Sequence, residues 1–74
     1  MGLVLKPREL VRFLEHNGYE FIRANGGSHH IYGNGNHSLP IPIHPGKDFD
    51  ESFIRNILRE TGITKKELLK YLGR

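Results

Sequence analysis

From Leu39 to Ile43 the chain alternates strictly: Leu39, Pro40, Ile41, Pro42, Ile43. Apolar residues at every second position are the mark of a strand with one buried face. Proline has no N–H to give to a ladder, so two prolines in one strand confine it to a sheet edge or to bonding through one side. The rest of the sheet must come from the segments before it. Asn34-Gly35 is a hairpin signal, read as a two-residue type I′ turn with positive φ at both central positions. It joins a strand over 28–32 to one over 37–43. Gly26-Gly27 marks a second turn, back to a short strand over 19–23. The sequence therefore predicts a three-stranded antiparallel meander.

Helices are predicted before and after it along the chain. Pro7 suits a first helical turn, where its missing N–H costs nothing. Leu10, Phe13 and Leu14 form one apolar stripe, and Asn17-Gly18 reads as the stop. After the strands, Asp48 and Glu51 have capping-box spacing. Phe53, Ile54, Ile57 and Leu58 then give the next helix its apolar face, and Gly62 ends it. Thr64 and Glu67 repeat the box before a short helix with Leu68, Leu69 and Leu72 inside and Lys65, Lys66 and Lys70 outside. The expectation is an α+β fold, one domain over 1–74, with helices on one sheet face and the other face uncovered.

Composition narrows the function classes. The chain has 74 residues and no cysteine, which removes disulfides and thiolate metal sites and fits a cytoplasmic setting. No apolar run approaches the roughly 20 residues that span a bilayer. The first seven residues are too short for a signal peptide and lack its cleavage site, so no membrane role is expected. Net charge is +3, which suits a partner carrying phosphates. The charge is unevenly placed. Residues 25–46 contain no Asp, Glu, Lys or Arg, yet hold His29, His30, His37 and His44.

That uncharged strip is where chemistry is expected. Adjacent strand residues point to opposite faces, so His29 and Ile31 share one face while His30 and Tyr32 share the other. The period does not say which faces out. Gly26 and Gly27 just before would let a substrate backbone approach closely. Imidazole ordinarily titrates near 6.5, about the pH where proton transfer in either direction is useful. In RNA cleavage a base removes the ribose 2′-OH proton and an acid protonates the departing 5′-oxygen. The competing view of His29 and His30 is a surface residue next to a hydrogen-bonded, half-buried ring.

His44, in a Pro-flanked loop, is either a second acid–base or phosphate-binding group or a residue that orients the turn. His37 reads as a solvated loop residue, and His16 as a last-turn residue well placed against the helix dipole. Arg23 is the strongest basic candidate, because it ends the strand predicted to pair with that of His29 and could hold the scissile phosphate. A histidine metal site lacks orienting carboxylates within the strip, and adjacent His29 and His30 diverge, so neither metal nor cofactor is expected.

Several of these stretches together resemble the HicA toxin family: Lys6-Pro7-Arg8-Glu9-Leu10, Asn17-Gly18-Tyr19-Glu20-Phe21, Gly27-Ser28-His29-His30, Pro42-Ile43-His44-Pro45, and a helix containing Leu58 that closes near Gly62. The resemblance implies a fold similar to a double-stranded-RNA-binding domain, α-β-β-β-α, with the helix from Thr64 as a short C-terminal addition. It implies a toxin that cleaves mRNA, halts translation and is neutralised by a HicB-type antitoxin. The first histidine of the run is the catalytic one in the family, which places that role on His29. His29 would then lie on the open face, and His30 and Tyr32 would face the helices as structural residues.

The reading is a metal-independent endoribonuclease with His29 catalytic and Gly27, Ser28, Arg23 and His44 in support. The free toxin is expected to be a monomer that forms a hetero-oligomer with its antitoxin. Two rivals stand beside it. One is a non-catalytic RNA-binding module of the same fold, which the scarcity of Lys and Arg in the strands disfavours. The other is a protein-interaction domain using an exposed edge strand over 37–43.

Overall fold

The computed structural model describes residues 2–74. Its elements run α1 (Pro7–His16), β1 (Glu20–Asn25), β2 (His29–Gly33), β3 (Ser38–Pro42), α2 (Glu51–Thr61) and α3 (Lys65–Leu72). The strands form one antiparallel sheet in the order β1-β2-β3. This is the expected α+β arrangement, α-β-β-β-α with an added helix.

The core follows from the two periodicities. Leu10, Phe13 and Leu14 of α1, Ile54, Ile57 and Leu58 of α2, and Tyr32, Leu39 and Ile41 of the sheet are buried in one cluster. Cross-strand partners share a face. Tyr32 stands opposite Leu39, and His30 opposite Ile41, so that row faces the helices. Leu5 joins the cluster through a bridge to Phe49, with N–H to O distances of 3.0 and 2.8 Å in the two directions.

That bridge moves the start of α2. Phe49 must stay extended to pair with Leu5, so the cap falls on Asp50 and not on Asp48, and Asp50 Oδ1 accepts the Phe53 N–H at 2.9 Å. Glu51 does not close a capping box. Its carboxylate accepts the Leu3 N–H at 3.0 Å and lies 3.3 Å from Lys65 Nζ. The box at Thr64 and Glu67 forms as expected. Gly62 at φ 76° closes α2 in the left-handed conformation.

The second hairpin differs from a type I′ turn. Only Gly35 has positive φ, at 96°, and four residues separate the paired positions Gly33 and Ser38. Asn34 Oδ1 accepts the N–H groups of Asn36 and His37 at 2.9 and 2.8 Å. The side chain thus holds the turn that a second positive φ would otherwise have set. His37 is an exposed loop residue, and its Nε2 stands 3.7 Å from Glu60 Oε1 of α2.

β1 runs on past Arg23, where the sequence placed its end, to Asn25, which still pairs with His29, and it carries a bulge. Phe21 pairs with Tyr32 and Arg23 with Ile31, leaving Ile22 extra. Ile22 folds over Gly33, where a Cβ would come within 2.5 Å of its Cδ1. α3 is anchored by Leu68, fully buried, and by Tyr71, whose ring lies 4.9 Å from His16 and 5.3 Å from Phe13.

Candidate active site

The register separates the two adjacent histidines. His29 pairs with Asn25 on β1 and Pro42 on β3 and is exposed on the face opposite the core. His30 points toward the helices and is half-buried, its ring 5.4 Å from Phe21 in an edge-on contact. Tyr32 lies deeper at 6 % exposure. Burial, with a smaller contribution from Glu15, raises the Tyr32 phenol above its ordinary value.

The turn before His29 needs glycine. Gly26 and Gly27 have φ of 68° and 79°, in the left-handed region that other residues rarely adopt. A Cβ at either would meet nothing within 4 Å, so the approach to His29 from this end is open. Ser28 is tied down by its backbone: its N–H donates to Gly26 O at 2.9 Å and its C=O accepts the Ile43 N–H at 2.7 Å.

Arg23 pairs with Ile31, one row along from the Asn25–His29–Pro42 row, and is exposed on the same face as His29. The structure thus brings together Arg23 and His29, the pair that sequence reasoning placed on neighbouring strands. His44 is exposed just beyond β3.

His29 also borders a groove of about 330 Å³ that runs between β3 and α2. Pro40, Pro42, Phe53 and Ile57 supply apolar wall, and Asn56 and Glu60 supply polar groups. A smaller hollow of about 200 Å³, lined by His44, Lys47, Asp48 and Asp50, shares Pro42 and Phe53 with it. The groove brings a carboxylate, Glu60, to a site whose sequence strip has none. In the sequence Phe53 and Ile57 read as core and Asn56 and Glu60 were passed over, though the four have the i, i+3, i+4, i+7 spacing of one helix face. Among the described residues no three His, Cys, Asp or Glu side chains gather to hold a metal ion. No helix among them is long and apolar enough to cross a membrane.

The outer edge of β3 bears on strand addition. Ile43 bonds inward to Ser28, and Asn34 N–H donates to His37 O at 3.0 Å. By alternation Leu39 and Ile41 also bond inward, so Ser38, Pro40 and Pro42 face outward. Two of these three positions have no N–H, which weakens the case for a partner pairing along residues 37–43.

No curated protein and no solved structure matches the chain significantly. A family model does, described as the HicA toxin of bacterial toxin–antitoxin systems, over residues 7–63 of the 74. The match takes in α1, the whole sheet, α2 and His29, and stops just short of α3. Members of that family are toxins that act beside an antitoxin and are generally ribonucleases. With its fold and most of its length accounted for, the chain belongs to the HicA toxin family.

Proposed function

We propose that this protein is an mRNA-cleaving endoribonuclease that works without a metal ion, with His29 as its catalytic residue. The observation that carries the reading is the exposed His29 on the uncovered sheet face, behind a two-glycine turn, in a chain of this family. His29 takes the proton from the ribose 2′-OH or delivers one to the departing 5′-oxygen. Either role is worth on the order of 10²–10⁴-fold in rate.

The remaining groups act around that step. Gly27 and Ser28 shape the approach of the RNA backbone. Arg23, on the same face, holds the scissile phosphate and balances the charge that builds up on it. His44, in the hollow that shares Pro42 and Phe53 with the groove, serves as the second acid–base group. Attack by the 2′-oxygen on phosphorus expels the 5′-oxygen and leaves a 2′,3′-cyclic phosphate. A HicB-type antitoxin silences the protein by covering His29, and the toxin works in the cytoplasm as a monomer when free.

RNA incubated with the purified protein in excess EDTA, beside the His29→Ala variant, tests this. Cleavage by the parent alone with cyclic phosphate ends is the expected result. Cleavage that EDTA abolishes, or 5′-phosphate ends, would overturn the mechanism. If neither protein cuts and both still bind RNA, the chain is a binding module of the same fold.

A further inference from the structure

The groove beside His29 is longer than phosphate chemistry needs. Its His29 end lies at Pro42, and its far end lies at Ser38 and Glu60. Four residue steps of extended strand separate those ends, about 13 Å. That is close to the reach of one nucleotide from its phosphate to the outer edge of its base.

The two ends differ in chemistry. The His29 end presents an imidazole, the group assigned to the cleaved phosphate, and adjoins a hollow lined by His44 and Lys47 together with Asp48 and Asp50. At the far end a carboxylate, Glu60, would repel phosphate, so the RNA backbone does not run there. The walls between are Pro40, Pro42, Phe53 and Ile57, flat or apolar surfaces of the kind on which a splayed-out base stacks. Phe53 is held for this by stacking on Phe49, ring centres 4.8 Å apart and planes 20° from parallel.

The polar groups narrow the choice of base. Asn56 Oδ1 accepts from Arg59 Nη2 at 2.7 Å, and the Asn56 amide nitrogen has two N–H groups to donate. Glu60 offers two acceptor oxygens, with His37 beside one of them at 3.7 Å. Of the four RNA bases, guanine alone presents two neighbouring N–H donors, on N1 and N2, next to an acceptor, O6. A carboxylate takes both donors at once, and charge-assisted bonds of this kind are the strong ones.

We propose that the groove between β3 and α2 is a nucleobase pocket for the residue adjoining the cleaved phosphate, and that Glu60 and Asn56 select guanine in it. This rests on the ribonuclease reading for its substrate but is tested apart from it. The His29→Ala protein is titrated with the 3′-monophosphates of guanosine, adenosine, cytidine and uridine, and backbone amide shifts are followed. The expected result is tightest binding of the guanosine nucleotide, by roughly tenfold to hundredfold, with shifts centred on Phe53, Asn56 and Glu60. Glu60→Gln, at an exposed position, removes that preference without weakening the other three, and Phe53→Leu weakens all four by on the order of tenfold.

Equal binding of the four nucleotides, or a guanine preference that Glu60→Gln leaves intact, overturns the assignment. The active protein separates the two readings. Cuts made without regard to the neighbouring base sink the guanine pocket and leave the ribonuclease standing. Guanine-selective binding at the groove in a protein that never cuts RNA supports the pocket and removes the nuclease.

Discussion

His29 and Pro42 face each other directly across β2 and β3, so the histidine borders the sheet edge where no backbone donor competes for a ligand. The imidazole is exposed and packs into no core. Replacing His29 with Ala is therefore expected to leave thermal stability within about 0.5 kcal/mol of the parent. Cleavage should fall by on the order of 10²-fold or more. Melting curves beside a single-turnover cleavage assay check both halves.

The neighbouring residue is expected to behave in the opposite way. His30 faces the helices and meets the edge of Phe21. His30→Ala loses that aromatic contact and should cost on the order of 1 kcal/mol while retaining most of the cleavage rate. An unchanged melting temperature with lost cleavage would exchange the roles of the two histidines.

Tyr32 makes a pH prediction. Its folded pKa is raised above 10.0, first by burial and then by Glu15. The raised value means that Tyr32 contributes stability in full below about pH 10 and loses it as pH climbs through the folded value. Denaturant titrations at rising pH should show this alkaline loss in the parent and a shallower one in Tyr32→Phe.

Glu51 makes the acid-side counterpart. The Leu3 N–H, then Lys65, and more weakly Arg55, hold its carboxyl below 4.5. Its contribution is therefore present above that pH and fades as pH falls through the lowered folded value. Glu51→Gln is expected to melt below the parent at pH 7, and the two curves should converge in acid. A gap that persists at pH 2 would mean that the carboxyl works by shape and not by charge.

Leu68 tests whether α3 is part of the fold although it lies outside the matched stretch. Leu68 is fully buried in the common core, so Leu68→Ala should cost about 2–5 kcal/mol. Chemical denaturation monitored by far-UV circular dichroism would register it as a lower midpoint. A change under 0.5 kcal/mol would mark α3 as a loosely docked appendage.

Parity along the strands carried most of what could be read in advance. Alternation separated His29 from His30 but left open which faced out; the observed register, with His30 opposite Ile41, sets His30 and Tyr32 inward and His29 outward, and the bulge in β1 sets Arg23 on the face of His29. The stripe Leu10, Phe13, Leu14 was equally legible because a helix repeats locally. The groove was not, since Pro40 and Pro42 meet Phe53, Asn56 and Glu60 only after the chain has folded back. The α2 cap misled because Asp48 and Asp50 both offer a plausible oxygen, and the choice lies with Leu5, more than forty residues away in sequence. Asn34 misled similarly: its side chain does work that the dipeptide pattern assigns to the backbone. The bulge at Ile22 left no local mark at all.

The two prolines of β3 restrict how this protein can be switched off. A strand laid along that border would find carbonyls to bond but almost no donors in return, so main-chain zippering there recovers only part of its usual strength. A partner seated along β3 therefore gains little from its main chain and holds on there chiefly by its side chains, whereas the proline-free edge of β1 carries no such restriction.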